Sequence, residues 1–363
     1  MKNIMLVFGT RPEAIKMCPL VNELKKREDA RVKVCVTGQH RTMLDQVLEV
    51  FKVTPDYDLS IMKEKQTLFE ITTGILSKIR SVLKMERPDV VLVHGDTTTT
   101  FAAALACFYL KIPVGHVEAG LRTYQLYSPY PEEFNRQAVG IVAGYHFAPT
   151  MQARENLVKE GKDPSIIYVT GNTAIDALKT TVRSDYTHEY LDWASDSRLI
   201  LLTAHRRENQ GKPMEQMFRA VKRIIEENPD VKVIYPIHLN PLVRETAFSV
   251  FKAEERIRLI EPLDVLDFHN FLSRAYLVLT DSGGIQEEAP SLGKPVLVMR
   301  DTTERPEGIA AGTLWLVGTE EENIYSSIKT MLHDRSAYEK MSKASNPYGD
   351  GLASVRIADI LLG

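Results

Sequence analysis

The chain has 363 residues, and at roughly 150 residues per domain that length predicts two domains of ordinary size. Hydrophobic residues at 44% and charged residues at 26% are the balance of a globular protein and exclude a disordered, collagen-like or coiled-coil chain. With 45 Lys plus Arg against 48 Asp plus Glu, the net charge is −3, which excludes a broad positive field for nucleic acid or an anionic membrane, so any polyanion site has to be local.

The chain opens on Met1-Lys2-Asn3 and the apolar run Ile4–Phe8. That run falls far short of the ~20 residues of a membrane span and of the ~7–15 of a secretory signal, so it predicts a strand and a cytoplasmic protein. Further short β-branched runs follow at Val32–Val36, Val90–Val93, Pro113–Val117, Leu199–Leu202, Val231–Tyr235, Ile257–Ile260, Leu277–Leu279 and Pro295–Val298. Between them lie helical patterns such as Glu13–Arg27, with Ile15, Leu20, Val21 and Leu24 on one stripe, and Pro213–Glu226, with Met217, Val221, Ile224 and Ile225 on another. Fully apolar strands alternating with helices predict parallel sheets covered on both faces, an α/β fold of βαβ units. The series restarts after Tyr168-Val169-Thr170-Gly171-Asn172, which divides the chain into domains 1–170 and 171–345. Residues 346–363 open in a Pro/Gly-rich turn and close in an amphipathic helix expected to reach back to the first domain. Cys18, Cys35 and Cys107 stand far apart with no C-x-x-C pair and read as small buried hydrophobes.

In open parallel sheets ligands bind beyond the carboxyl ends of the strands. Those ends are polar here: Gly9-Thr10-Arg11-Pro12-Glu13, His94-Gly95-Asp96-Thr97, Glu118-Ala119-Gly120-Leu121-Arg122, His205-Arg206-Arg207-Glu208, Pro236-Ile237-His238 and Asp281-Ser282-Gly283-Gly284. The expectation is one cleft, shared by both domains and lined by these groups. The Ser282-Gly283-Gly284 turn can bring backbone N–H groups and a helix start close to a phosphate, and Glu287-Glu288 one turn on can accept from ribose hydroxyls; its plain alternative is a tight strand-to-helix turn. G-x-G-x-x-G and G-x-x-x-x-G-K-S/T are absent, which disfavours the usual dinucleotide and Mg-ATP sites. Arg11, Lys16, Arg206, Arg207 and Arg305 supply cations suited to a diphosphate. The histidines take no metal-ligand spacing, so no metal site is expected. Asp96, Glu118 and Glu132 are the acid/base candidates; alternatively Asp96 caps the helix that follows, and Glu132 merely begins one.

Together Gly9-Thr10-Arg11-Pro12-Glu13-Ala14-Ile15-Lys16, His94-Gly95-Asp96-Thr97, His116-Val117-Glu118-Ala119-Gly120-Leu121-Arg122, Pro131-Glu132-Glu133-x-Asn135-Arg136, His205-Arg206-Arg207-Glu208 and Asp281-Ser282-Gly283-Gly284-Ile285-Gln286-Glu287-Glu288 resemble the non-hydrolysing UDP-N-acetylglucosamine 2-epimerases across essentially the whole chain. The resemblance implies a GT-B fold of two Rossmann-like, doubly wound domains facing across a cleft, usually in a homodimer. It implies conversion of UDP-GlcNAc into UDP-ManNAc through 2-acetamidoglucal, with no cofactor. Carried over by position, Asp96, Glu118, Glu132 and His205 become catalytic. Arg11, Lys16, His238, Ser282, Gly283, Gly284, Glu288 and Arg305 become substrate and UDP ligands. Gln39, His40 and Arg206 match a second, activating UDP-GlcNAc site of some bacterial relatives. Catalytic and sugar-binding groups are thus expected chiefly in 1–170 and UDP-binding groups in 171–345, with a hinge between. The rival readings are a hydrolysing 2-epimerase, a GT-B glycosyltransferase and a silent sugar-nucleotide sensor.

Overall fold

The computed structural model describes residues 1–38, 41–63, 66–252, 254–303 and 305–363. Two compact units divide the chain: Met1–Thr180 with Tyr348–Gly363, and Thr181–Pro347. No helix among the described residues is long and apolar enough to cross a membrane.

In the first unit the strands are β1 (Lys2–Phe8), β2 (Ala30–Val36), β3 (Tyr57–Asp58), β4 (Val90–His94), β5 (Val114–Val117), β6 (Tyr145–Ala148) and β7 (Ile167–Val169). Among the described residues they form one sheet in the order β3-β2-β1-β4-β5-β6-β7, each pair parallel. Ile4 to Phe8 and Val90 to Val93 are sealed from solvent on both faces, which is why these runs are apolar throughout rather than alternating. The helix Arg11–Lys25 covers the sheet with Met17, Leu20, Val21 and Leu24, and the helix Leu68–Glu86 with Ile71, Ile75, Ile79 and Leu83, both at helical spacing.

The second unit contains β8 (Arg198–Thr203), β9 (Val231–Pro236), β10 (Ile257–Ile260), β11 (Leu277–Thr280), β12 (Val296–Val298) and β13 (Leu314–Leu316). Its order, β10-β9-β8-β11-β12-β13, is the doubly wound arrangement of a Rossmann-like domain, again parallel throughout. The helix Lys212–Glu227 buries Met217, Val221, Ile224 and Ile225, the stripe expected of it.

Every strand expected from the apolar runs forms, with ends moved by a residue or two. Four are additional. β3 has two residues, β7 and β13 have three, and β6 reads Tyr-His-Phe-Ala, with a buried histidine where an apolar residue would have signalled a strand. The division between units falls after Thr180 because the helix Thr173–Thr181 is tied to the chain's end: Asp176 accepts from the backbone N–H groups of Ala353 (3.2 Å) and Ser354 (2.7 Å). The final helix, Ala353–Leu362, lies on the first unit, where Asp359 pairs with Arg27 at 2.9 Å and the Leu361 carbonyl accepts from Lys2 at 2.8 Å. Cys18, Cys35 and Cys107 are free and buried, and burial pushes each thiol up to about 12.

Gly120, three residues past the end of β5, sits at φ +92°, and a Cβ there would stand 2.2 Å from the Ala153 carbonyl oxygen. Gly120→Ala is expected to destabilise the protein by about 2–4 kcal/mol, since left-handed strain and a backbone clash act together. A lowered denaturant midpoint checks this; an unchanged midpoint would show that the Ala153 turn yields freely.

Candidate active site

In the first unit the chain builds outward on one side from β1 and then crosses to β4, which opens a crevice beyond the carboxyl ends of these neighbouring strands. The β1 end is a capped turn. Glu13 is buried and accepts from the N–H groups of Gly9 (3.0 Å) and Thr10 (2.8 Å) and from the hydroxyls of Thr97 (2.7 Å) and Thr100 (3.1 Å). Burial raises its carboxyl above the ordinary range, while these donors pull the other way. Glu13 thereby fastens the turn before Arg11 to the turn that carries Asp96.

Asp96 is not a helix cap. Thr97 caps the helix Thr98–Tyr109, its hydroxyl accepting from the Thr100 N–H at 3.1 Å, so the Asp96 carboxylate is available for other work. Arg136 grips it through Nη2 (2.6 Å) and Nε (2.9 Å), and Asn135 donates to its carbonyl at 2.8 Å. Arg136 and Asn135 come from the helix Glu132–Val142, whose first residue is Glu132. The buried Oε2 of Glu132 has no hydrogen-bond partner among the described residues. The next residue, Glu133, is fully buried and accepts from the N–H groups of Thr123 (3.0 Å) and Tyr124 (3.1 Å), from Gln137 (2.8 Å) and from Arg136 (3.2 Å). Burial favours its neutral form, but these donors outweigh it and hold the carboxyl below its ordinary value.

Glu118 follows β5 with φ +62°. Its Oε2 is ion-paired with Lys16, accepts from Asn172 Nδ2 at 2.9 Å and lies 3.8 Å from His94 Nε2. Its other oxygen, Oε1, lies over Gly95, where an added Cβ would come within 3.6 Å of it. Asp96 and Glu118 therefore stand on the adjacent ends of β4 and β5. Arg122, from the same motif, is turned away into a two-pronged pair with Glu160 at 2.6 and 3.0 Å.

The second unit has its own crevice, between β8 and β11. Asp281, wholly buried after β11, accepts through Oδ2 from the N–H groups of His205 (2.9 Å) and Arg206 (2.8 Å), while Oδ1 lies 3.0 Å from His205 Nδ1. Burial would raise this carboxyl; His205 and the two backbone donors more than offset that and hold it low. Asn209 adds a donor at 3.2 Å. His205 in turn stacks on His238, with ring centres 5.6 Å apart. Burial, with His205 close by, lowers the pKa of His238. The Ser282 N–H donates to Thr280 (2.9 Å), and Gly284 has helical backbone angles with nothing within 4 Å of a Cβ placed on it. Packing therefore does not require a glycine there, and the space beside it is open. The helix Ile285–Ser291 is only seven residues long, so its start adds less than the expected macrodipole. Glu288 lies 3.6 Å from His269 Nε2, and Arg305 is ion-paired with the buried Glu287. Gln39 and His40 lie outside the described residues; of that expected trio only Arg206 is placed, its Nε donating to the Asp281 carbonyl at 3.2 Å.

Sequence reasoning named Asp96 and Glu118 but not Arg136 and Asn172, which hold them, nor the buried anchors Glu13 and Asp281. Arg136 and Glu13 belong to the sequence motifs themselves, but their partners lie on other strands' ends, which local spacing does not reveal.

A sequence model of the family described as UDP-N-acetylglucosamine 2-epimerase matches residues 22–362. The UDP-N-acetylglucosamine 2-epimerase of Bacillus subtilis is 63% identical over 359 residues, 99% of this chain and 94% of that protein. A solved UDP-N-acetylglucosamine 2-epimerase structure is 61% identical with a TM-score of 0.93, covering 100% of this chain and 96% of that one. The Neisseria meningitidis UDP-GlcNAc 2-epimerase, solved with UDP-GlcNAc bound, is 49% identical with a TM-score of 0.89, covering 99% of both chains.

Behind the first crevice lie three buried histidines, His94, His116 and His146, whose pKa values burial lowers to about 4, 3 and 4. Each is neutral in the fold and takes up a proton on unfolding once the pH is below the ordinary ~6.5. The stability they allow is full above that value and declines as the pH falls toward 4, where the unfolded chain binds more protons. His146, with neither ring nitrogen hydrogen-bonded among the described residues, is the cleanest test. His146→Leu is expected to flatten the slope of unfolding free energy between about pH 4.5 and 6 by ~1.4 kcal/mol per pH unit. An unchanged slope in urea titrations would show that His146 is not held neutral.

Proposed function

The chain belongs to the UDP-N-acetylglucosamine 2-epimerase family, an isomerase family, and we propose that it interconverts UDP-GlcNAc and UDP-ManNAc by expelling UDP and adding it back without net hydrolysis. Both halves then act on one substrate, the first on the sugar and the second on the nucleotide. Two Rossmann-like parallel sheets of GT-B kind supply the two sets of strand ends.

The carbon to be inverted bears a hydrogen that is not next to a carbonyl, so direct removal at neutral pH meets a prohibitive barrier. When the C1–O bond breaks and UDP leaves with its electron pair, positive charge at carbon 1 acidifies the neighbouring hydrogen. A carboxylate takes that proton, the C–H electrons form the C1=C2 bond, and 2-acetamidoglucal results. Protonation of carbon 2 from the opposite face and return of UDP to carbon 1 complete the inversion. Atoms and electrons balance without an oxidant. Two faces need two positioned acid/base groups, or one and a water. The observation that carries the reading is the pair Asp96 and Glu118, each held by its own cation on neighbouring strand ends, with Glu132, whose buried Oε2 has no hydrogen-bond partner among the described residues, opening the helix that bears Arg136.

Departing UDP needs positive or N–H-rich surroundings, and preorganised donors supply them best. Arg11 and Lys16 in the first unit, and His205, His238, Ser282, Gly283, Gly284 and Arg305 in the second, make up this set, with Glu288 accepting from a ribose hydroxyl. Asp281 orients His205 so that Nε2 faces the phosphates. The proposal includes the homodimer and cytoplasmic setting implied by resemblance; free buried thiols suit a reducing compartment.

Turnover in deuterated water is expected to place deuterium at carbon 2 of both epimers, read by NMR. Unlabelled products would rule out proton exchange with solvent, and free ManNAc among them would turn the assignment to a hydrolase. Asp96→Asn and Glu118→Gln are expected to lower kcat by about 10² or more while UDP still binds. Ser282→Ala and Glu288→Gln should chiefly weaken UDP in calorimetric titration, and wild-type affinity in both would remove this turn from the nucleotide site.

A further inference from the structure

Asn172 lies just before the helix Thr173–Thr181 and is 3% exposed. Its backbone and amide are both anchored. Its backbone N–H donates to the Tyr348 carbonyl at 2.7 Å, its Oδ1 accepts from the Ala174 N–H at 2.9 Å, and its Nδ2 donates to Glu118 Oε2 at 2.9 Å. The Ala174 contact settles which way the amide faces, because a backbone N–H can only meet the oxygen, which leaves the nitrogen for Glu118. Lys16 reaches the same carboxylate oxygen, but an ammonium on a four-carbon stem is a charge without a preferred plane. A planar amide anchored at both its oxygen and its own backbone has a direction.

The anchor is itself tightly built. Tyr348 is the first residue of the returning segment Tyr348–Gly363, and Gly171 and Gly349 pass so close that a Cβ on either would stand 3.3–3.4 Å from the Cα of the other. Both adopt positive φ, +89° and +132°, so these glycines allow the two backbones to meet beside Asn172.

We propose that Asn172 is a positioning residue for proton exchange at carbon 2: held by the returning chain at Tyr348, its amide fixes the plane of the Glu118 carboxylate, while Lys16 supplies the counter-charge. This rests on the acid/base reading of Glu118 above. His94, whose ring lies 3.8 Å away and is held neutral by burial, and Lys16 are the titratable groups that face the same oxygen among the described residues.

Asp and Ser cap helices about as well as Asn, so Asn172→Asp and Asn172→Ser keep the bond to Ala174 and change what Glu118 meets. The aspartate puts a like charge against Glu118, and the serine is too short to reach it. Each is expected to lower kcat about tenfold or more with KM for UDP-GlcNAc and UDP affinity unchanged. In Asn172→Asp the limb of the pH–rate profile governed by Glu118 should also move up by about one pH unit, since a neighbouring anion disfavours the ionised form. In Asn172→Ser the limb should stay closer to its wild-type position. Should one variant fail to fold, judged by its melting curve, the other carries the test through the same kcat measurement. Wild-type kcat and pH profile in the folded variants, beside an inactive Glu118→Gln, would overturn the positioning role and leave the acid/base reading intact. Full activity of Glu118→Gln would overturn both.

Discussion

A carboxylate that packing has stripped of water on its inner side needs a donor or cation in that water's place. This requirement shapes both crevices. Asp96 is answered by Arg136, Glu118 by Lys16 and Asn172, Glu133 by two backbone amides with Arg136 and Gln137, and Asp281 by His205 and two backbone amides. The holders come from different segments of the chain, so the sites can be assembled only when βαβ winding has brought those segments together.

The two units meet the requirement with different partners. In the first, Lys16 and Arg136 hold Glu118 and Asp96, while the more deeply buried Glu13 is held, among the described residues, by backbone N–H groups and threonine hydroxyls alone. In the second, the buried Asp281 gathers the loop after β8 through the backbone N–H groups of His205 and Arg206, so that an imidazole and the neighbouring Arg206 are presented from it.

Strand identity was legible because burial on both faces leaves an unbroken apolar run, as at Ile4–Phe8 and Val90–Val93. The short strands were not, since two or three residues carry no period, and β6 hides His146 where periodicity expects an aliphatic. The carboxylates were legible as motif members, yet their surroundings were not. Nothing local distinguishes Asp96 as a cap from Asp96 as an acid, because the deciding fact, that the Thr97 hydroxyl takes the Thr100 N–H, depends on a rotamer. Arg136 lies 40 residues from Asp96 and Asn172 lies 54 from Glu118, separations that only the strand order β1-β4-β5-β6-β7 resolves. The Ser282-Gly283-Gly284 turn was legible as a phosphate cradle from its place after a strand and before Glu287-Glu288, beside its plain alternative of a tight strand-to-helix turn; the structure adds that packing does not require a glycine at 284.

The backbone of Glu118 shows how far the fold goes to aim one side chain. A left-handed conformation costs an L-residue about 1–2 kcal/mol, and glutamate has none of the local side-chain bonding that eases it for asparagine. It is held on both sides: the Val117 carbonyl accepts from Gly95 at 2.9 Å, and the Ala119 N–H donates to Phe147 at 3.0 Å. These two bonds to neighbouring strands leave residue 118 alone to turn the chain. A regular strand would have continued the alternation of His116 and Val117, and the next side chain would have entered the layer where the buried His116 ring meets the Gly95 carbonyl at 2.7 Å. The left-handed turn instead brings the carboxylate across Gly95, where the absence of a side chain leaves room for it, to Lys16 and Asn172. A strained residue persists only when its surroundings over-determine it, and here the contacts to Lys16 and Asn172 that the turn makes possible also hold the carboxylate in place, as the proposed proton exchange requires.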